Sequence, residues 1–141
     1  MRIDYHSETD FSLPNPANYT EWIINVLKSR ELTPGELQFV FCSDDYLLEM
    51  NHKYLGHDYY TDILTFENDL EDDVSGDIFI SIDRIRDNAK TYCVPFEEEL
   101  ARVMIHGVLH LIGFGDSTEK EKDIMRQEES VCLRMFHVKQ C

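Results

Sequence analysis

The chain has 141 residues, of which 43% are hydrophobic and 11% are aromatic. A chain of this length and composition suffices for one domain that buries a core without disulfides or an obligatory partner. Its formal net charge of −15 disfavours non-specific attraction to nucleic acid, which is a polyanion. The four cysteines show no C-x2-C spacing, so we expect reduced, mostly buried thiols and neither a thiolate metal site nor a redox pair.

Neither membrane insertion nor export is indicated. No apolar run approaches the roughly 18 residues that a membrane span needs. The first residues, from Met1 to Glu8, contain no apolar segment followed by a small-residue cleavage site. We therefore expect a cytoplasmic protein with no membrane partner.

The first half of the chain alternates strand and helix patterns. Apolar residues recur at helical spacing after a Pro/Asn stretch, and a later run alternates Leu37, Phe39 and Phe41 with the residues between them, as a strand does. Ser43 or Asp44 can cap the helix that follows. The elements expected here are a strand near residue 3, a break over 13–18, a helix over 19–30, a turn at 34–35, a strand over 37–42 and a helix from 44 toward 54.

The second half contains two strand patterns followed by three helix patterns. The strands flank an acidic loop that is too polar to pack, and strands so close in sequence pair as a hairpin or as near neighbours. Thr118 with Glu121 three residues later forms a capping-box pattern, which predicts the start of the last helix. The expected elements are strands over 62–66 and 76–81, the acidic loop over 67–75, and helices over 82–92, 96–112 and about 118–136, with a break at residue 95.

These elements predict an α+β fold in a single domain over residues 1–141. About four strands form a mixed sheet on one side, and about five helices cover them. No repeat, low-complexity tract or linker interrupts the chain.

The segment from residue 106 to residue 116 carries three residues of metal-ligand type. His106 and His110 are four apart, so on a helix they share one face with Cβ atoms roughly 5–6 Å apart. Gly113 and Gly115 permit the chain reversal that would bring Asp116 back to them. Two histidines and a carboxylate leave the fourth tetrahedral position open, as catalytic zinc sites do. We predict a metal site at the end of this helix with His106, His110 and Asp116 as its ligands.

An alternative is that both histidines are core residues bonded to backbone carbonyls. Between Val103 and Ile112 they are the only polar side chains, so the helix is expected to be buried and each imidazole needs a partner. The glycine and the carboxylate that follow favour the metal site. The remaining histidines are interpreted as surface or local structural residues; they are His6, His52, His57 and His137.

Three separated blocks carry a resemblance to a known family. The first block consists of residues from Met50 to Tyr54, then Asp58, then residues 61–66. It is similar to the sequence pattern N-x2-Y-x3-D-x2-T-[DN]-[VI]-L-[ST]-F. The second, 76–81, is similar to G-D-I-x-I-S, and the third, beginning at His106, to H-G-x-L-H-L-x-G. In this order and roughly this spacing, the blocks resemble the YbeY family of bacterial rRNA-maturation endoribonucleases.

Two positions depart from the family pattern. The metal block of the family usually ends in a third histidine, where this chain has Asp116. A carboxylate oxygen also binds zinc, at about 2.0–2.2 Å, so one zinc ion is expected, with nickel, iron or manganese as alternatives. The family commonly has an arginine after the tyrosine of the first block, where this chain has Leu55. If that arginine contacts RNA phosphate in relatives, this protein lacks the contact.

The resemblance implies a metal-dependent, single-strand-specific endoribonuclease that trims the 3′ end of small-subunit rRNA and acts in ribosome quality control. Catalysis would use a metal-bound water held by His106, His110 and Asp116, with no protein base evident. Implied partners are an rRNA precursor, the small ribosomal subunit through a basic ribosomal protein that suits the acidic surface, and an assembly GTPase. Candidate substrate-binding residues are Arg102, Asp62 and Asp77. For Arg102 the alternative is an ion pair with Glu98 or Glu99, and for the two aspartates it is a turn or capping role.

Two other functions remain open at this stage. A metzincin-like zinc protease would share the order of the ligands, but it places a glutamate base directly after the first histidine, where this chain has Gly107. A non-catalytic ribosome-assembly factor would use the metal only to hold its fold.

Overall fold

A four-stranded mixed sheet forms the centre of the computed structural model, which describes residues 2–68 and 73–140, with side chains through 136. In chain order the described elements are β1 (Arg2–Ser7), α1 (Pro16–Ser29), β2 (Pro34–Cys42), α2 (Asp44–Leu55), β3 (Ile63–Glu67), β4 (Val74–Ser81), α3 (Ile82–Tyr92), α4 (Phe96–Ile112) and α5 (Glu119–Gln140). The chain is therefore a single α+β domain with four strands and five helices among its described residues, as the sequence predicts.

The strand order is β1-β2-β4-β3. β2 pairs in parallel with both β1 and β4, whereas β3 runs antiparallel to β4. The predicted pairing of the two strands around the acidic loop is therefore confirmed. It leaves β3 at one edge of the sheet, next to the region where the candidate ligands lie.

The helices cover both faces of the sheet. The larger core packs Phe39, Ile78 and Ile80 against helices that include α1 and α4. A smaller cluster on the opposite face contains Cys42 and Leu47, the latter from α2. The prediction that the strands lie on one side and the helices on the other is therefore wrong for α2, because β2 buries alternate residues on both faces and needs a cover for each.

Several element boundaries differ from the predictions. α1 begins at Pro16, since proline is favoured in the first turn of a helix, where no backbone N–H is needed. Pro34 lies in β2 rather than in a turn. Val74 and Ser75, predicted to lie in a polar loop, are buried in β4, where the Ser75 hydroxyl accepts a hydrogen bond from the Glu36 backbone N–H at 3.0 Å. Part of that predicted loop, residues 69–72, lies outside the described residues.

The helix starts follow the capping patterns in the sequence. The Ser43 hydroxyl accepts a hydrogen bond from the Tyr46 backbone N–H at 3.2 Å, so Ser43 rather than Asp44 caps α2. Thr118 and Glu121 form the predicted reciprocal capping box, with both bonds at 3.1 Å. This box fixes the first turn of α5, which extends to Gln140 rather than ending near Phe136.

Cys42 and Cys132 are buried free thiols, whereas Cys93 is exposed, and Cys141 lies outside the described residues. None of the helices in the described part of the chain is long and apolar enough to cross a membrane.

Helix α4 buries more of its residues than α1, α2 or α3, and it approaches the sheet closely at Gly107. A Cβ atom built at this position would lie 2.8 Å from Ile78 Cγ2 and 2.9 Å from Ile63 Cδ1. Such separations are too short for carbon atoms, so the absence of a side chain sets the distance between α4 and the strands β3 and β4.

Replacing Gly107 with alanine tests this contact. The added methyl group forces the isoleucines or the helix to move, and we expect the free energy of unfolding to fall by about 1–3 kcal/mol despite the better helix propensity of alanine. Urea unfolding followed by circular dichroism measures the change. The control is Thr91→Ala at an exposed position of α3, which should change stability by less than about 0.5 kcal/mol. Equal stability of the Gly107→Ala variant and the wild type would contradict the close packing.

Candidate metal centre

The two histidines of α4 and Asp116 converge on one point. The Oδ2 atom of Asp116 lies 3.4 Å from His106 Nε2 and 3.4 Å from His110 Nε2. One donor atom from each residue lies within 4.8 Å of the other two. The structure thus brings together the three residues that the sequence spacing singles out.

The end of α4 places Asp116 against the histidines. Gly113 has a φ of 122°, a backbone conformation that side chains oppose. Its backbone N–H donates to the carbonyls of Leu109 and His110, and the Phe114 N–H donates to the Leu109 carbonyl at 3.0 Å. The chain therefore reverses direction tightly at the end of α4 and runs back beside the last turn of this helix.

His106 and His110 are each hydrogen-bonded through Nδ1, which leaves both Nε2 atoms available to a metal ion. His110 Nδ1 lies 2.9 Å from the Phe114 carbonyl oxygen, which can only accept, so Nδ1 carries a proton, and in the neutral imidazole the lone pair is on Nε2. His106 Nδ1 lies 2.5 Å from Oε2 of Glu129 and donates to that carboxylate in the same way. Metal-binding histidines in proteins show this arrangement of a backbone or carboxylate partner at the second nitrogen.

The geometry fits a tetrahedral metal ion. Two ligands about 2.0–2.2 Å from a tetrahedral zinc ion lie roughly 3.3–3.6 Å from each other. Both His–Asp distances of 3.4 Å fall in that range. Because the set supplies three donors, it leaves one coordination position open, and the Asp116 side chain is 46% exposed, so the open position can be reached from solvent.

Glu129 is the functional candidate that the sequence reasoning missed. It lies on α5 and is only 4% exposed, although it carries a carboxylate. Met125, Cys132 and Phe136 lie on the same buried face of this helix. The available signal was therefore an acidic residue at a position where the apolar periodicity of α5 calls for a core residue.

Arg102 belongs to this buried network rather than to the open surface. It donates to both carboxylate oxygens of Glu99, at 2.7 and 2.9 Å, and lies 3.4 Å from both oxygens of Glu129. The hydrogen bonds to Glu99 raise the pKa of the Arg102 guanidinium further above its already high value. Arg102 therefore orients Glu129, and the ion pair with Glu99 is the alternative that the structure shows.

The two aspartates predicted near the substrate have different positions. Asp62 precedes β3 and lines a cleft that contains all three candidate ligands. Burial raises the pKa of its carboxyl group, and the nearby charges of Arg102 and His106 oppose the rise. Asp77 lies in β4 and lines a separate cleft with Glu36 and Glu67, apart from the ligands.

Two clefts meet at the candidate ligands. The first has a volume of about 560 Å³ and lies along α4 and α5, with Arg102, Lys122 and Arg126 in its wall. The second has a volume of about 330 Å³ and lies at the β3 edge of the sheet, where α2 and the segment after it form the wall. Both clefts include His106 and Asp116, so an extended ligand that passes from one to the other would cross the metal position.

Comparisons with known proteins over the whole chain show its family. Residues 3–137 match the family model described as Endoribonuclease YbeY. The chain belongs to the YbeY family. It is 46% identical over 138 residues to the endoribonuclease YbeY of Flavobacterium psychrophilum, covering 98% of this chain and 99% of that protein. It is 49% identical over 116 residues to that of Bacteroides thetaiotaomicron, covering 82% and 85%.

A solved structure agrees with the fold. The solution structure of TM1509 from Thermotoga maritima superposes with a TM-score of 0.72 at 30% identity, and the match covers 98% of this chain and 91% of that chain. The fold of the whole chain is therefore similar to that of this solved structure.

The structure also shows the exposure of two residues of the first family-like block and of the remaining histidines. Leu55, where the family commonly has an arginine, is 46% exposed and lines the second cleft beside the candidate ligands. Tyr54 is 58% exposed and packs the edge of its ring on Phe66. His6 and His52 are exposed, as expected, and the side chain of His137 lies outside the described set. His57 is exposed as well, as expected, and it also lines the second cleft.

Replacing Glu129 with glutamine tests the link to His106. The change removes the negative charge that holds the imidazole, and we expect zinc affinity to fall about 10- to 100-fold. Competition with a chromophoric chelator measures the affinity, and circular dichroism checks the fold. Glu128→Gln is the matched control, because the neighbouring Glu128 pairs with Arg30 rather than with the site. Equal zinc affinities of the two variants would contradict the role of Glu129.

Proposed function

We propose that this protein is a metal-dependent endoribonuclease that cuts single-stranded RNA at the point where the two clefts meet. The observation that carries the proposal is that two histidine Nε2 atoms each lie 3.4 Å from the same carboxylate oxygen, in a chain of the YbeY family. Zinc suits two imidazoles and a carboxylate in a tetrahedral set with one open position. Nickel, iron and manganese are the alternatives to be tested beside it.

His106, His110 and Asp116 would hold the ion. Bound there, it would activate a water molecule and polarise a phosphoryl oxygen, which together lower the barrier to phosphodiester hydrolysis. Glu129 and the Phe114 carbonyl keep both imidazoles in the tautomer that binds metal. The aspartate in place of a third histidine makes the ligand set more negative, which strengthens the attraction for a divalent cation.

Asp62 is the best-placed group to accept a proton. It lines the second cleft together with the ligands but is not one of them. A carboxyl group whose pKa is raised by burial is a stronger base than an ordinary aspartate, and proton transfer of this kind contributes about 10²- to 10⁴-fold to a rate. We therefore assign proton transfer to Asp62, a role that the sequence reasoning left without a residue.

Phosphate contacts would come from the first cleft. Lys122 and Arg126 lie on α5 in its wall, with exposed side chains paired to Glu119 and Asp123 at the surface. Surface pairs of this kind contribute little stability and exchange readily. These two cations replace Arg102, which is committed to Glu99 and Glu129, as the candidates for backbone binding.

The biological substrate is proposed as the 3′ precursor end of small-subunit rRNA, with a role in ribosome quality control in the cytoplasm. The net charge of −15 suits docking to a basic ribosomal protein on the small subunit. An assembly GTPase is a further proposed partner. Such docking would bring an acidic protein to RNA that it attracts poorly by itself.

Peptide hydrolysis is disfavoured by the position of Gly107. A zinc protease places its glutamate base at this point of the helix. Here residue 107 faces Ile63 and Ile78 at less than 3 Å from a built Cβ. A glutamate would therefore have to enter the core rather than face the ligands.

Cleavage assays of ligand variants test the function. The zinc-loaded wild type should cut a single-stranded RNA that carries the small-subunit 3′ precursor, and His110→Ala and Asp116→Ala should each lose at least about 100-fold in rate, because loss of a ligand removes several kcal/mol of transition-state stabilisation. His52→Ala is the histidine control, since His52 lies outside both clefts. Equal cleavage by all four proteins would indicate a contaminating nuclease. Absence of cleavage by the folded, zinc-loaded wild type would favour the non-catalytic assembly factor.

The paired variants Asp62→Asn and Asp77→Asn test the assignment of proton transfer. We expect Asp62→Asn to lower kcat about 10²- to 10⁴-fold with little change in zinc affinity, because Asp62 lies in the cleft but outside the ligand set. Asp77→Asn should retain the wild-type rate, because its side chain lines the separate cleft. Single-turnover cleavage and chelator competition give the two quantities. A similar rate for both variants would remove Asp62 from the mechanism.

A further inference from the structure

The second cleft lacks the cations that normally bind nucleic acid. Among the described residues in its wall, none is lysine or arginine, and two acidic side chains, Asp62 and Asp116, face it. Phosphates entering this cleft would therefore meet no lysine or arginine side chain among these residues. A strand of RNA on this side of the site needs another source of binding energy.

Aromatic rings occupy the outer wall of the same cleft. Tyr59 is 57% exposed, and its ring stacks on that of His57 with centroids 5.2 Å apart and an interplanar angle of 20°. The Tyr59 hydroxyl and His57 Nδ1 are 3.0 Å apart, which holds the two rings together. Leu55, 46% exposed, extends the apolar wall beside them.

The segment that carries these rings is anchored from beneath. Asn51, at 1% exposure, donates its side-chain amide to the Tyr59 carbonyl at 2.9 Å. The His57 backbone N–H donates to the Asn51 carbonyl at 3.2 Å. The backbone that carries the two rings is therefore held in place, which reduces the entropy lost when a ligand binds.

We propose that the Tyr59–His57 ring pair is a stacking site for one unpaired base of single-stranded RNA whose phosphodiester lies at the three candidate ligands. Every base has a π-face, so stacking needs no particular sequence and no positive charge. A base held in a duplex is already stacked on its neighbours and cannot use the site. The ring pair thus selects single-stranded RNA while the phosphates on this side stay in solvent. The inference rests on the proposed ribonuclease function of the same site.

Binding of a cleavage-resistant RNA to the zinc-loaded protein tests the inference. The probe is a fluorescein-labelled 2′-O-methyl single-stranded oligonucleotide, and its dissociation constant is measured by fluorescence anisotropy. Tyr59→Leu should weaken binding about 5- to 100-fold, the range for loss of one base–aromatic stack. Tyr59→Phe keeps the ring and should stay within about threefold of the wild type. Tyr54→Leu is the matched control, because Tyr54 is equally exposed but lies outside the cleft.

An abasic scan identifies the base that stacks. Each oligonucleotide in the series lacks the base at a different position. At one position only, removal of the base should weaken binding to the wild type but cause no further loss of affinity in Tyr59→Leu, because that variant no longer stacks the base. The fold-loss of RNA affinity caused by Tyr59→Leu should also be the same at 50 and 200 mM salt, since no phosphate contact is removed. Wild-type affinity for Tyr59→Leu, or an equal loss for Tyr54→Leu, would overturn the inference.

Parallel cleavage of unmodified RNA separates this inference from the proposed function. If the wild type cleaves RNA but the Tyr59→Leu substitution does not change RNA affinity, the stacking site is wrong and the ribonuclease function stands. Loss of binding on Tyr59→Leu, without cleavage by the wild type, would support the stacking site and remove the ribonuclease.

Discussion

The close approach of α4 to the sheet at Gly107 is the constraint on which the fold and the site both depend. The helix packs its apolar face on β3 and β4 with no side chain at the point of contact. His106 and His110 flank this point and stand at the rim of the core, 14% and 23% exposed. Their imidazoles are thereby partly shielded from water yet open to a ligand. A shift of the helix would move both together, so core packing sets the geometry of the candidate metal centre.

A second constraint comes from charge. The buried set of Glu99, Arg102 and Glu129 contains two carboxylates and one cation, and Asp116 adds a further carboxylate beside it. In a partly buried region this excess of negative charge favours a divalent cation and disfavours a bare phosphate group. The ion would therefore reverse the local sign of the field. At a distance from the metal ion, an acidic protein must hold RNA through ring stacking, through a few cations on α5 or through a protein partner.

Local patterns predicted much of this molecule because they act over one or two turns. The helices over 82–92 and 96–112 have the predicted bounds, since helical periodicity marks the first, and Pro95 and Gly113 mark the start and the end of the second. The candidate ligand set was equally local, because helical spacing and one glycine turn determine it. Pro34 and Val74 were misjudged, because their strand pairing depends on partners 40 residues away along the chain. Composition alone describes such residues as loop.

The sequence by itself determined the type and order of the elements, the α+β class and the triplet His106, His110 and Asp116. The tertiary structure decided which buried groups support that triplet, because Glu129 and His106 are 23 residues apart and meet only when α5 packs on α4. It likewise separated Asp62, which precedes β3, from Asp77, which lies within β4, because the two side chains line different clefts. It also committed Arg102 to an internal ion pair. Contacts between elements depend on how the helices and strands pack, and no local pattern encodes that packing.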